Sequence, residues 1–76
     1  MKAIVYGRTK PFCQYCVMAK ELLASKDIPF VFVEVGTEIS IAELQELFPG
    51  AQSVPQIILD DVKLQGGYST LKATLG

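Results

Sequence analysis

Apolar and polar residues alternate in patterns that divide this chain into short segments of regular structure. Ala3 to Tyr6 is an apolar, β-favouring run that Gly7 stops, and it predicts a first strand. From Cys13 or Gln14 to Ser25, apolar residues recur at helical spacing with charged residues between them. This segment predicts a first helix, which the sequence Lys26-Asp27-Ile28-Pro29 ends.

The middle of the chain predicts a second strand and a second helix. Phe30 to Val35 is rich in aromatic and β-branched residues. Such a near-continuous apolar run is typical of a strand that is covered on both faces. Ser40 and Glu43 have the spacing of a capping box, so we expect a helix that starts there and ends near Phe48, before Pro49-Gly50.

The last third predicts a hairpin followed by a helix. Gln56 to Leu59 reads as the third strand, Asp60-Asp61 as a tight turn, and Val62 to Leu64 or Gln65 as the fourth strand. Tyr68 to Leu75 predicts a short final helix, which two glycines separate from the hairpin.

The order βαβαββα indicates the α/β class with a four-stranded mixed sheet and helices on both faces. The first two strands should form a parallel, right-handed βαβ unit, and the last two an antiparallel hairpin. Periodicity leaves open how the two halves join. We expect residues 1–76 to form a single domain, near the lower size limit for one core.

Charge and composition exclude several classes of protein. The net charge is −1, with seven basic and eight acidic residues mixed along the chain, which argues against a nucleic-acid surface or a membrane patch. No apolar stretch approaches the ~18 residues of a membrane span, and the N-terminus reads as a strand rather than a signal peptide. Two cysteines are too few for a disulfide scaffold, so we expect a cytoplasmic protein.

Those two cysteines carry the chemistry that the sequence predicts. Cys13 and Cys16 are three residues apart, so both lie on one face if the segment is helical. Unpaired N–H groups and the helix dipole at the helix start, with Arg8 and Lys10 nearby, should stabilise a thiolate at Cys13. Thiol pKa values in such places are roughly 3.5–7.5, against about 8.5 for a free cysteine. We therefore expect Cys13 to attack and the more buried Cys16 to resolve.

Two other uses of the pair stay open at this point. A CxxC pair forms half of a structural zinc site, but such a site needs four ligands, and the chain has no histidine and no further cysteine. The pair is also compatible with a structural disulfide or with two inert core thiols. A CxxC that follows a strand and opens a helix favours redox chemistry over both.

Three segments of this sequence resemble the signature segments of glutaredoxins. They are Thr9-Lys10-Pro11-Phe12-Cys13-Gln14-Tyr15-Cys16, Ser53-Val54-Pro55-Gln56-Ile57 and Gly66-Gly67-Tyr68. Their order and spacing also match, and the resemblance covers essentially the whole chain. It implies a thioredoxin fold and a glutathione-dependent thiol–disulfide oxidoreductase that reduces protein disulfides and glutathione mixed disulfides.

The resemblance also implies how glutathione, as co-substrate, would be held. Val54-Pro55 would be a cis peptide facing the cysteines, with the Val54 backbone available to pair with a bound peptide. Lys10 and Gln52 would meet the glycine carboxylate, and Tyr15 the cysteinyl part. The γ-glutamyl end would bind the backbone N–H groups of Gly67, Tyr68 and Ser69. Without the resemblance, each of these residues also reads as an ordinary surface or turn residue.

Two positions depart from the usual family pattern. Gln14 stands where relatives carry a proline between the cysteines, which restores an N–H near the thiolate. Ser69 and Thr70 stand where many relatives carry an acidic residue for the γ-glutamyl ammonium, and either could instead cap the last helix.

Other functions within reach of the same family are kept as alternatives. One is carriage of a [2Fe–2S] cluster by a glutathione-bridged dimer, using one cysteine per chain. Another is a hydrogen donor that thioredoxin reductase drives. The expected partners are glutathione and disulfide-containing or glutathionylated proteins, with ribonucleotide reductase as a family-based example. We expect a monomer with no nucleic-acid, membrane or metal partner.

Overall fold

A computed structural model describes all 76 residues and contains seven elements in the predicted order βαβαββα. The elements are β1 Ala3–Gly7, α1 Gln14–Ser25, β2 Phe30–Glu34, α2 Ile41–Leu47, β3 Gln56–Leu59, β4 Val62–Leu64 and α3 Tyr68–Leu75. The thioredoxin-like fold predicted from the sequence is confirmed. The observed bounds differ from the predicted ones by about a residue at the ends of β1, β2 and α2, where hydrogen bonding fades gradually.

The two halves of the chain join through β1, which is a central strand. The sheet order is β2-β1-β3-β4, with β1 parallel to β2 and antiparallel to β3. Val5 of β1 aligns with Phe32 on one side and Ile57 on the other. The C-terminal end of β1 leads directly into the cysteine segment and then into α1. The right-handed βαβ crossover places α1 on one face of the sheet.

Most of the core lies between the sheet and the pair α1 and α3. Its buried members are Ala3, Val5, Ala19, Leu23, Ile28, Ile57, Leu59 and Leu71. Leu71 is the one buried residue of α3, so this side chain fixes where the last helix sits. The burial of a leucine contributes about 1.5–3 kcal/mol, and the partly buried Tyr68 and Leu75 of α3 pack against the same core.

The opposite face is covered by α2 alone. Leu44 and Phe48 pack there against Tyr6, whose ring meets that of Phe48 edge-on at 5.8 Å between centroids. The predicted capping box is present: Glu43 N–H donates to Ser40 Oγ and Ser40 N–H donates to Glu43 Oε1, both at 3.0 Å. These bonds support a helix of only seven residues, which is too short to be stable by itself.

The prediction that the second strand is covered on both faces holds only in part: Phe30 and Phe32 pack against the main core, and Val33 packs on the α2 side. β2 is an edge strand, none of its residues is buried, and Val31 is 61% exposed. The packing around α2 reaches Val33 but stops short of Val31, because α2 lies over only one end of the sheet. The continuous apolar run therefore belongs to an edge strand. Lys20 Nζ lies over the ring of Phe32 on this strand, 4.3 Å from its centre.

The helices are short throughout. The longest, α1, has 12 residues, and no helix has both the length and the apolar character required to cross a bilayer.

Candidate active site

The first turn of α1 is built around the sulfur of Cys13. Cys13 is the N-cap residue with extended backbone angles, and its Sγ accepts a hydrogen bond from the Cys16 N–H at 3.2 Å. Ser, Thr, Asp and Asn usually fill this position, because their oxygens accept from the free N–H groups of the first turn. Here a sulfur does so. It is also joined to Cys16 Sγ as a disulfide, with the two Cα atoms 5.3 Å apart.

The two sulfurs are not equally accessible. Cys13 is 7% exposed and Cys16 is 1% exposed, which is the order that the sequence predicts. Cys13 is nevertheless largely covered in this disulfide form. The Val54 carbonyl oxygen lies 3.9 Å from Cys13 Sγ on one side, while the neighbouring Phe12 and Tyr15 are exposed.

Gly7, at the end of β1, makes room for the inner cysteine. A Cβ atom at this position would lie 2.8 Å from Cys16 Sγ and 2.9 Å from a ring carbon of Phe32. No larger residue fits without displacing one of these groups. Sequence reasoning read Gly7 only as the end of a strand, although a glycine in a strand also signals the close approach of another group.

Glu34 fixes the loop that carries Lys10, and no local sequence pattern predicts this contact. Its carboxylate accepts two hydrogen bonds from Thr9, one from the backbone N–H at 2.8 Å and one from the hydroxyl at 3.1 Å. Gly7 and Glu34 are neighbours in the β1–β2 pairing, so the carboxylate starts from the strand end where the loop begins. The Lys10–Pro11 peptide of this loop is cis.

A second segment approaches the cysteines from the start of β3. The Val54–Pro55 peptide is cis, as the resemblance implied, and Pro55 is buried. Gly67 backs onto this segment: its φ is +61°, and a Cβ atom there would lie 2.6 Å from the Pro55 carbonyl oxygen. The hairpin and the start of α3 are therefore held together at a contact that only glycine permits.

The expectation that Ser69 or Thr70 caps the last helix is wrong. The N-cap residue is Gly67, and no side chain caps α3. The Thr70 hydroxyl instead donates to the Gln65 carbonyl oxygen, within the turn before the helix. The first N–H to bond back along α3 is that of Leu71, to the Gly67 carbonyl oxygen at 3.1 Å. The N–H groups before it are left without backbone partners.

A groove of about 370 Å³ lies between these segments. Neither cysteine lines it, but Val54 does, and the Val54 carbonyl oxygen is 3.9 Å from Cys13 Sγ. Every residue that the resemblance assigned to glutathione lines it, except Lys10: Tyr15, Gln52, Val54, Pro55, Gly67, Tyr68 and Ser69. The rings of Tyr15 and Tyr68 pack together at one side, with centroids 5.8 Å apart. Three segments distant in sequence are thus brought to one groove.

Lys10 lines a neighbouring groove instead, together with Arg8. The two grooves share the wall formed by residues 51–54, so Gln52 and Val54 border both. A ligand that reaches Lys10 from the first groove has to cross this wall. No group of three or more His, Cys, Asp or Glu side chains is placed to hold a metal ion.

Comparison with known proteins identifies this arrangement. The sequence model of the glutaredoxin family matches residues 4–64. The chain belongs to the glutaredoxin family. Glutaredoxins from two serogroups of Neisseria meningitidis, A and B, are each 39% identical to it over 66 residues, which cover 83% of this chain and 74% of theirs.

Solved structures agree with this assignment. Glutaredoxin 1 from Francisella tularensis superposes with a TM-score of 0.73 at 27% identity, over 97% of this chain and 91% of its own. Actin interacting protein 5 shares the fold, with a TM-score of 0.71 at 16% identity, over 99% of this chain and 87% of its own. This glutaredoxin is therefore a glutathione-dependent thiol–disulfide oxidoreductase, and Cys13 and Cys16 form its redox-active pair.

Replacement of Gly67 by alanine tests the contact between α3 and Pro55. We expect Gly67→Ala to lower the free energy of unfolding by about 1–3 kcal/mol, because it combines a strained φ with a collision. Gly50→Ala is the matched control: its φ is +83°, but a Cβ atom there meets nothing within 4 Å. Urea denaturation compares the two variants, and an equal loss of stability would show that the collision with Pro55 contributes nothing.

Removal of the Glu34 carboxylate tests its role in holding the Lys10 loop. Glu34→Ala should raise the KM for glutathione about twofold with little change in kcat, since two hydrogen bonds that order the loop are lost while Lys10 itself is kept. Glu34→Gln, which keeps one acceptor oxygen, should recover part of the effect. Glu21→Ala removes an exposed carboxylate from α1 as a control, and the same KM in both alanine variants would contradict a positioning role.

Proposed function

We propose that Cys13 is the attacking thiolate, that Cys16 is the resolving thiol, and that the groove beside them binds glutathione. The position of Cys13 Sγ carries this proposal: it caps α1, accepts the Cys16 N–H and lies next to the Val54 wall of the groove. A negative charge on this sulfur gains from both the N–H and the helix dipole. In the reduced protein these interactions would favour the thiolate form of Cys13, which is the form that attacks.

With a glutathionylated protein, Cys13 alone completes the reaction. Its thiolate attacks the glutathionyl sulfur, and the protein thiolate leaves with the electron pair of the broken disulfide bond. The thiolate of a second glutathione then attacks the glutathionyl sulfur bound to Cys13. Oxidised glutathione leaves, and the Cys13 thiolate is restored.

With a protein disulfide, both cysteines take part. The Cys13 thiolate forms a mixed disulfide with one substrate sulfur, and the other substrate sulfur leaves as a thiolate. Cys16 then loses its proton and attacks Cys13 Sγ. This step releases the reduced protein and forms the Cys13–Cys16 disulfide that the structure contains. Two glutathione molecules return the pair to its dithiol form.

The groove offers contacts for each part of glutathione. We place the cysteinyl part beside Tyr15, with its backbone paired to that of Val54, where the sulfur reaches Cys13. The γ-glutamyl carboxylate lies at the start of α3, where the backbone N–H groups of Tyr68 and Ser69 have no backbone partners. The glycyl carboxylate extends across the shared wall at Gln52 toward Lys10.

We further propose that the 76 residues act as a single-domain monomer on protein substrates, ribonucleotide reductase among them, in the cytoplasm. Glutathione-driven reduction needs a compartment that keeps glutathione reduced, as the cytosol does. The low net charge and mixed surface charges favour a protein substrate over nucleic acid.

Serine substitution of each cysteine tests the division of roles. In the hydroxyethyl-disulfide assay with glutathione and glutathione reductase, Cys13→Ser should show no turnover above background. Cys16→Ser should keep removal of glutathione from a glutathionylated peptide and lose reduction of a protein disulfide, because no second thiol releases the mixed intermediate. Equal loss of both activities in Cys16→Ser would contradict the proposed roles.

Neutralisation of Lys10 tests its contact with the glycyl carboxylate. Lys10→Ala should raise the KM for glutathione by about twofold to fivefold, as expected for an exposed charge pair, and added salt should narrow the difference from wild type. Lys26→Ala, which removes an exposed charge at the C-cap of α1, is the control. A KM for Lys10→Ala that matches the control would exclude this contact.

Two experiments on the wild-type protein test the alternative functions. Turnover with thioredoxin reductase and no glutathione would support a thioredoxin-like hydrogen donor. A brown dimer after anaerobic reconstitution with iron, sulfide and glutathione would support [2Fe–2S] carriage, in which each chain gives one thiolate. We expect a colourless monomer that depends on glutathione.

A further inference from the structure

The groove beside the cysteines contains no charged side chain. Fifteen residues line it, and their polar side-chain groups are neutral amides and hydroxyls: Gln52, Gln56, Gln65, Ser53, Ser69, Tyr15 and Tyr68. The adjoining groove adds Arg8 and Lys10 and no acidic residue. The whole binding region is thus neutral at one end and basic at the other.

Glutathione carries two carboxylates and one ammonium group, and this region offers charged or helix-terminal partners only to the carboxylates. The basic side chains and the unpaired N–H groups at the start of α3 favour negative charge. The ammonium group, which is attached next to the γ-glutamyl carboxylate, finds no carboxylate there. The Thr70 hydroxyl already donates to the Gln65 carbonyl oxygen, and Ser69, an exposed residue, offers one neutral hydroxyl.

We propose that this glutaredoxin recognises glutathione through its carboxylates and thiol and does not use its ammonium group. The substrate class then extends to tripeptide thiols of the same shape whose amino group is absent or acylated. This inference rests on the glutathione site proposed above. It goes further because it states that the site binds the two carboxylates of glutathione and makes no ion pair with the ammonium group.

Matched mixed disulfides of one fluorescent cysteine peptide test the inference directly. The Cys16→Ser variant is used, so that one attack by Cys13 releases the peptide thiolate and no second thiol enters the measured step. Four thiols, the thiol partners, are joined in turn to the peptide. They are glutathione, its des-amino analogue glutaryl-cysteinyl-glycine, its des-carboxy analogue γ-aminobutyryl-cysteinyl-glycine, and the glycyl ethyl ester of glutathione. Each second-order rate constant is compared with that of glutathione, and also with the rate of attack by a free thiol, to remove differences in intrinsic reactivity.

The des-amino analogue should react within about twofold of glutathione, because no ion pair is lost with the amine. The des-carboxy analogue and the glycyl ester should each react at least about threefold more slowly than glutathione, because each lacks a carboxylate that the site binds. A des-amino analogue that reacts tenfold more slowly than glutathione would overturn the inference.

Installation of a carboxylate supplies the converse experiment. Ser69→Asp places a negative charge in the first turn of α3, a position that also favours helix formation. It should raise the preference for glutathione over the des-amino analogue about threefold, while the uncharged control Ser69→Asn leaves that ratio unchanged. No change with Ser69→Asp would contradict the placement of the ammonium group.

The possible outcomes distinguish a failure of the inference about the ammonium group from a failure of the proposed glutathione site. If all four partners react equally and Lys10→Ala has no effect on any of them, the proposed glutathione site itself is wrong. If the glycyl ester and the des-carboxy analogue react slowly but the des-amino analogue is just as slow, the site stands and the inference about the ammonium group fails.

Discussion

The hydrogen bond from the Cys16 N–H to Cys13 Sγ is the interaction on which this active site depends. The sulfur that caps α1 is also the one to which we assign the nucleophilic attack, so on this proposal one atom defines both the start of the helix and the nucleophile. In the proposed mechanism this N–H would donate to a thiolate once the disulfide is reduced, which is a stronger bond than one to a neutral sulfur. On that proposal, helix formation and thiolate stabilisation reinforce each other.

The rest of the molecule positions other segments around that sulfur. The central strand β1 delivers the loop before Cys13, and Gly7 at its end lets Cys16 pack close beneath. Gly67 brings the start of α3 against the Pro55 carbonyl oxygen, and Leu71 anchors the helix from inside the core. These contacts need only two glycines and one buried leucine, which suits a small domain with few buried side chains.

Local patterns predicted nearly all of the fold, since the capping box of α2, the turn at Asp60-Asp61 and the period of α1 are all encoded by neighbours in sequence. What they missed depends on contacts between distant segments. The apolar run of β2 suggested burial, but its edge position is set by the strand order. The bond between Glu34 and Thr9 spans 25 positions, and the capping role considered for Thr70 gave way to a bond within the preceding turn.

The most direct test of the central claim is the pH dependence of alkylation of the reduced protein, with each cysteine followed separately by peptide mass spectrometry. If the first turn of α1 stabilises the Cys13 thiolate, Cys13 should react with an apparent pKa well below the ~8.5 of a free cysteine, and far faster than Cys16 at neutral pH. Equal rates at the two cysteines, or an ordinary pKa at Cys13, would contradict it.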